Sequence, residues 1–445
     1  MKYALIWYTI IVSKLILFWL RNKAIGMDNV NLRDRLNWIP IVVMMIFFGG
    51  TWIFPMFYHV TERFNSLIIF ACLAGLFFIN VDWLERLRAK DKVLIAMVAA
   101  LIIAVVNLFI IGSNKGCILI IADFLLLLYI SPYVKFSEVQ YKTLAVFFLL
   151  MYGVWFVHDM EFSYNTNTGA TYTVFSLFAA LIVLRFFSLE REIMGYFIVL
   201  ALLRTGTLVM WHLARGAFSA LFFFICFYMI FLIFDPTKHK RAYAFLSCFA
   251  VFGSLLFVWG YVALSRTGYN MRMPLFYKNV FSGREDIWTE VWGMLVKQPL
   301  LGIGSGYELS SFFEYDMHNA MYDILIVHGF IVFAIAAFVI IARLLGMREY
   351  IGKGPYSLIA GAAVFAIFFE SFIDMDLMWA DYTPVLLFML VTLYRGTPYP
   401  VREGLSTEGL PSGLSDVAIK PAVAEGLREE AIEAATSGII GEAHE

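Results

Sequence analysis

Long apolar runs, separated by short polar connections, set the pattern of this chain. They fall near residues 3–20, 38–58, 64–82, 93–111, 116–130, 143–157, 171–187, 193–210, 214–234, 243–263, 320–345, 356–373 and 382–395. A bilayer core about 30 Å thick takes roughly 20 helical residues per crossing. The runs therefore predict an all-α, polytopic bundle of about 12–13 transmembrane helices. Tyr3 to Leu20 lacks a basic leading region and a small-residue cleavage site, so it reads as a retained span.

The polar connections alternate in charge. Arg21, Lys23, Arg33 and Arg35 share one; Arg86, Arg88, Lys90 and Lys92 another; then come Lys135 and Lys142, Arg185 and Arg191, Lys238 to Arg241, and Arg343, Arg348 and Lys353. By the positive-inside bias these face the cytoplasm. The segments His158 to Ala170 and Ile373 to Asp381 carry no Lys or Arg, and the second holds Asp374, Asp376 and Asp381; these are expected outside. The N-terminus is then external and the tail after Arg395 cytoplasmic. A miscount of one span would reverse the N-terminus without touching the second half. Residues 1–395 read as one transmembrane domain. The tail, 396–445, rich in Pro, Gly, Ser, Ala and acids, reads as mostly disordered.

Composition sharpens this reading. Of 445 residues, 61% are hydrophobic and 15% charged, against roughly 45–50% and about 25% in soluble domains, which excludes a soluble globular protein. The 18% aromatic share suits helices anchored at membrane interfaces. A net charge of -1 argues against a nucleic-acid partner. Cys72, Cys117, Cys226 and Cys248 all sit inside apolar runs, so neither a disulfide framework nor a Cys/His metal site is indicated.

One connection is too long for a helix–helix loop. The external stretch 264–319 carries aromatics throughout, with Arg266, Arg272, Lys278, Arg284 and Lys297 along it, and long loops of this kind are usually functional or disordered. Ser282-Gly283-Arg284-Glu285 has the form of a capping box with Ser282 as N-cap. Ile287, Val291, Met294 and Leu295 on one face, with Trp288 and Trp292 four apart, predict an amphipathic helix lying along the membrane interface, ended by Pro299. Arg284 falls in its first turn, where a cation opposes the helix dipole. It forms either an anion site with the free amides or a charge neutralised by Glu285 and Asp286.

The run Pro299-Leu300-Leu301-Gly302-Ile303-Gly304-Ser305-Gly306 is weak as a nucleotide motif, since no strand precedes it and no Lys follows. Its glycines allow close backbone approach, to another element or to a ligand. His318, with Asn319, begins the next span. It is placed to accept a proton from a hydroxyl, or is a simple interfacial residue. Arg215, in Ala214-Arg215-Gly216, opens a span at its external end. Arg204 lies inside the preceding span, either as a functional group or paired with an acid such as Glu370.

Together, Arg215-Gly216 at a helix start, Gly283-Arg284 with Trp288, Pro299 to Gly306 with its alternating glycines, and His318-Asn319 resemble the O-antigen polymerase and O-antigen ligase superfamily. The likeness covers roughly residues 204–329. The family commonly has Ser-Arg-Gly where this chain has Ala214-Arg215-Gly216, so any role of that hydroxyl is absent. The resemblance implies glycan transfer on the external face of the bacterial inner membrane, from a polyprenyl-diphosphate donor to a hydroxyl of a second glycan. On that pattern Arg284 and Arg215 meet the diphosphate and His318 takes the proton. Gly283, Trp288, Gly302, Gly304, Asn319, Arg266, Arg272 and Arg204 would surround the substrates. An inverting displacement without metal or cofactor is expected.

Between the family's activities, a polymerase adding to a second lipid-linked repeat is favoured over a ligase adding to lipid A core or to protein. The stretch from Arg284 to His318 is compact and leaves little room for a large acceptor. A chain-length regulator is the partner such a polymerase would have. The competing class, a lipid-glycan flippase, would need polar groups along a midplane path and paired repeats, whereas the candidates here gather at the external end.

Overall fold

In a computed structural model of the chain, the described residues are 32–53, 55–111, 116–157, 166–184, 191–268, 273, 279–281, 283–310, 317–354 and 356–395. The first apolar run and the acidic tail lie outside them. Fourteen α-helices and one short 3-10 turn are found there, with no strand among the described residues. They are α1 (Leu32–Ile53), α2 (Pro55–Asn80), α3 (Trp83–Arg88), α4 (Lys92–Ile111), α5 (Gly116–Ile130), α6 (Glu138–Val157), α7 (Thr166–Leu184), α8 (Arg191–Trp211), α9 (Arg215–Ile233), α10 (Lys240–Ser265), α11 (Arg284–Leu295), α12 (Ala320–Met347), α13 (Ser357–Glu370), the 3-10 turn (Ala380–Tyr382) and α14 (Thr383–Tyr394).

Each apolar run within the described residues coincides with a helix. Among the described residues, five stretches are long and apolar enough to cross a membrane: Leu32–Trp52, Lys92–Ile111, Arg215–Ile233, Lys240–Ser265 and Ala320–Met347. Other apolar helices are short, α13 with 14 residues and α14 with 12, so the bundle mixes helices of different lengths. Outward apolar faces fit a lipid surround. On α4, Leu94, Met97, Ala100 and Ala104 face in, while Ile95, Val98, Ile102 and Phe109 are exposed.

The shortest apolar helices sit at the centre. All of α14 and nearly all of α13 are buried, and α13 packs against α7, α9, α10 and α14. Its small residues, Ala360, Gly361, Ala362, Ala363 and Ala366, let neighbouring backbones come close. The run expected to continue to residue 373 instead stops as a helix at Glu370, and a buried turn follows before the 3-10 segment. That turn carries Asp374 and Asp376 into the bundle end where the long loop returns.

Candidate functional site

The long loop folds as a docked structure. Helix α11 begins at Arg284 with Gly283 as its N-cap at φ 88, a left-handed position suited to glycine. This corrects the expected cap at Ser282, which lies outside the described residues. Half of the capping box survives, because the Gly283 N–H donates to Glu285 Oε2 at 3.1 Å. Ile287, Trp288, Val291 and Leu295 are buried on one face, while Trp292 is exposed. The Trp288 indole donates to the Met317 carbonyl at 2.7 Å, and the Tyr322 hydroxyl donates to the Trp288 carbonyl at 2.9 Å. Trp288 therefore fixes the residue before His318 and is closed to a ligand.

The glycine motif settles onto helix α12, which is broken at Gly329 (φ 77, ψ 175). A break inside an apolar helix leaves carbonyl and amide groups that must find partners. Here the Ile303 N–H donates to the Ile326 carbonyl at 2.9 Å, Gly304 N–H to the Val327 carbonyl at 3.0 Å, and Phe330 N–H to the Pro299 carbonyl at 2.9 Å. Asn107 of α4 donates to the carbonyls of Leu301 and His328 at 3.1 and 3.4 Å. A Cβ on Gly302 would meet the Val327 oxygen at 2.4 Å, and one on Gly329 would meet the Leu300 oxygen at 2.4 Å. Of the two readings open for these glycines, backbone packing accounts for Gly302 and Gly304.

His318 follows, at φ 50, an uncommon left-handed conformation for a residue with a side chain. The fully buried Asn319 next to it was expected near substrate. Its Oδ1 instead accepts from the Tyr322 N–H at 2.9 Å as the N-cap of α12, and from the Ser254 hydroxyl at 2.8 Å; its amide donates to the Phe372 carbonyl at 2.9 Å. With the Ala320 N–H donating to the Ser371 carbonyl at 3.1 Å, this pins the turn after α13 beside the start of α12. His318 Nδ1 thereby stands 3.4 Å from Asp374 Oδ1, each side chain about a quarter exposed.

Two arginines frame this pair. Arg284 donates to the Ile373 carbonyl, next to Asp374. Arg215, first residue of α9, donates to the Asn279 and Val280 carbonyls at 3.2 and 3.3 Å, and its guanidinium lies within the fields of Arg284 and Asp374. The Tyr261 hydroxyl donates to the same Val280 carbonyl at 2.6 Å. Gly216 explains the Arg-Gly pairing: a Cβ there would stand 3.0 Å from Glu370 Oε1 and 3.3 Å from Asp374 Oδ2.

The carboxylates are set apart by these neighbours. Burial pushes the Asp374 carboxyl up, but the His318 hydrogen bond and charge and the Arg284 guanidinium outweigh it and hold the group below the usual carboxylate range. Asp376 is held well above that range by burial and by the neighbouring Asp374. One oxygen each from Glu370, Asp374 and Asp376 lie within 4.8 Å of one another, a geometry that can hold a metal ion. Sequence spacing missed this group because no metal-ligand pattern spans it. Its usable signals were an acid closing a wholly apolar run and two more in a loop free of Lys and Arg.

The remaining candidates lie elsewhere. Arg204 lies near Tyr152 of α6, and no donor among the described residues reaches the carboxylate oxygens of Glu370, so the pairing expected between them is not formed. Arg266 is exposed at the C-cap of α10, and Arg272 lies outside the described residues. No protein-family model matches the chain, and no curated protein matches it.

Proposed function

We propose that this chain is a membrane glycosyltransferase that moves a glycan from a polyprenyl-diphosphate carrier to a hydroxyl of a second lipid-linked repeat, at the external face of a bacterial inner membrane. The observation that supports the reading is the convergence of Arg215, Arg284 and the His318–Asp374 pair at one end of the bundle, from four separate segments. The acceptor hydroxyl oxygen attacks the anomeric carbon, the bond from that carbon to the diphosphate oxygen breaks, and His318 takes the hydroxyl proton. Asp374 at Nδ1 orients the imidazole and stabilises its charged form. Arg284 and Arg215 meet the negative charge that develops on the departing diphosphate. Each is preorganised by a backbone carbonyl. Attack from the face opposite the leaving group inverts the anomeric centre.

Purified full-length protein supplied with defined lipid-linked repeats tests this directly. Polymer formation supports the polymerase reading; glycosylation of lipid A core with no polymer supports the ligase; neither product from either acceptor overturns transferase activity. The gathering of Arg215, Arg284, His318 and Asp374 at one end of the bundle favours a transferase over a flippase, whose substrate groups lie near the midplane.

A further inference from the structure

Glu370 ends α13 fully buried, and neither of its carboxylate oxygens meets a hydrogen-bond donor. No ion pair reaches it among the described residues. Such a group is costly unless something compensates its charge, and buried anions are ordinarily paired or bound to metal. Its Oε1 is turned toward the same face of Gly216 as Asp374 Oδ2. Asp374 uses Oδ1 for His318 and for the Met375 N–H, leaving the other oxygen on the Glu370 side. Asp376, also buried, completes the group, whose donor oxygens span no more than 4.8 Å.

That spread fits one ion. Oxygens opposite each other across Ca²⁺ stand about 4.6–5.2 Å apart, and across Mg²⁺ about 4.0–4.2 Å, from the usual metal–oxygen distances. A donor set made only of carboxylate oxygens suits hard divalent cations such as Ca²⁺, Mg²⁺ and Mn²⁺. We propose that Glu370, Asp374 and Asp376 bind a single hard divalent cation, Ca²⁺, Mg²⁺ or Mn²⁺, at the bundle end between α9 and the turn after α13. The two oxygen-bearing partners nearest α9 can approach because residue 216 is glycine. When all three carboxylates are ionised, they and the two guanidiniums leave this region one charge negative; a divalent ion, which favours that ionised form, makes it one charge positive. Three protein oxygens leave further coordination positions for water or phosphate oxygens. That those positions face a diphosphate rests on the reaction proposed above.

The test uses Mn²⁺ alone on purified full-length protein, stripped with a chelator, without any glycan substrate. Electron paramagnetic resonance should show one saturable Mn²⁺ per chain, displaced by Ca²⁺ or Mg²⁺, and the melting temperature should rise with added Ca²⁺ and fall with chelator. Glu370→Gln and Asp376→Asn should each weaken Mn²⁺ binding at least tenfold, while Asp235→Asn, a surface change elsewhere, should not. The rival arrangement is a proton shared by Glu370 and Asp376; wild-type protein that binds no Mn²⁺ and melts alike with and without chelator would establish it and overturn the site. Binding undiminished in both variants overturns it equally. The wild-type measurements stand even where a variant does not fold. Mn²⁺ binding in a protein that transfers no glycan keeps the site and removes the reaction; transfer by a protein that binds no Mn²⁺ does the reverse.

Discussion

His318 Nδ1 and Asp374 Oδ1 stand 3.4 Å apart although 56 residues separate them in the chain. The contact exists because Asn319, one residue from His318, holds the Phe372 carbonyl, two residues from Asp374. A histidine and the carboxylate beside it are thus held in place by one buried amide.

If His318 takes the hydroxyl proton, His318→Ala should lower kcat for glycan transfer by about 10²–10⁴-fold. Asp374→Asn should also lower kcat, with little change in KM for the acceptor, since it alters the orientation of the base. Steady-state kinetics on purified protein separate the two parameters. Full activity in His318→Ala would remove its role.

Arg284→Lys keeps the charge and loses the planar fork that matches phosphate oxygens. The expected result is a fall in transfer rate of about 10²–10³-fold, the scale for removing one donor at a developing negative charge. An unchanged rate with the lipid-diphosphate donor would argue against contact with the leaving group.

At the helix break, Gly302→Ala and Gly329→Ala each impose a left-handed φ on a residue with a side chain and drive a Cβ to 2.4 Å from a carbonyl oxygen. Strain of about 1–3 kcal/mol and overpacking of about 1–3 kcal/mol give a combined loss of roughly 2–6 kcal/mol. Gly306→Ala has open space around it and should be close to neutral. Melting of the three variants in the same detergent checks the order.

At α4, Asp91 Oδ1 accepts from the Val93 and Leu94 N–H groups at 3.0 and 3.2 Å, and Oδ2 from the Tyr129 hydroxyl at 3.0 Å, with Arg86 3.3 Å away. Burial raises this carboxyl, but the amide and hydroxyl bonds and the Arg343 charge hold it below the ordinary value. A depressed folded value means that its stabilisation is present above the unfolded carboxylate pKa, about 3.9, and is lost as pH falls through the folded value. Asp91→Ala should cost about 1–2 kcal/mol near neutral pH as a lost helix cap. The stability difference from wild type should shrink as pH drops below about 4; a gap constant down to low pH would contradict the assignment.

The helices were legible because apolar runs of span length leave few alternatives, and the buried stripe of α11 was legible in the spacing of Ile287, Val291 and Leu295. The role of the glycine motif was legible only as a choice between two kinds of close approach. Nothing local marks Gly329 as a break: it is one glycine in an apolar run, and its conformation depends on a segment beginning at Pro299. Trp288 and Asn319 were expected to surround the substrates, yet their partners, Met317, Ser254 and Phe372, bury them. The carboxylate group was the largest omission, since Glu370 suggested a partner for Arg204 and the turn acids suggested only sidedness. Through-space convergence on Gly216 is invisible to spacing along a chain.

The stitched break in α12 also separates loop length from site geometry. Gly304 is moored to α12 by the Val327 carbonyl, and Met317 to α11 by the Trp288 indole, so each end of the intervening stretch has its own mooring. Residues inserted between these moorings need not shift His318. Changes in the length of that stretch can therefore be absorbed while His318 and Asp374 stay where they are.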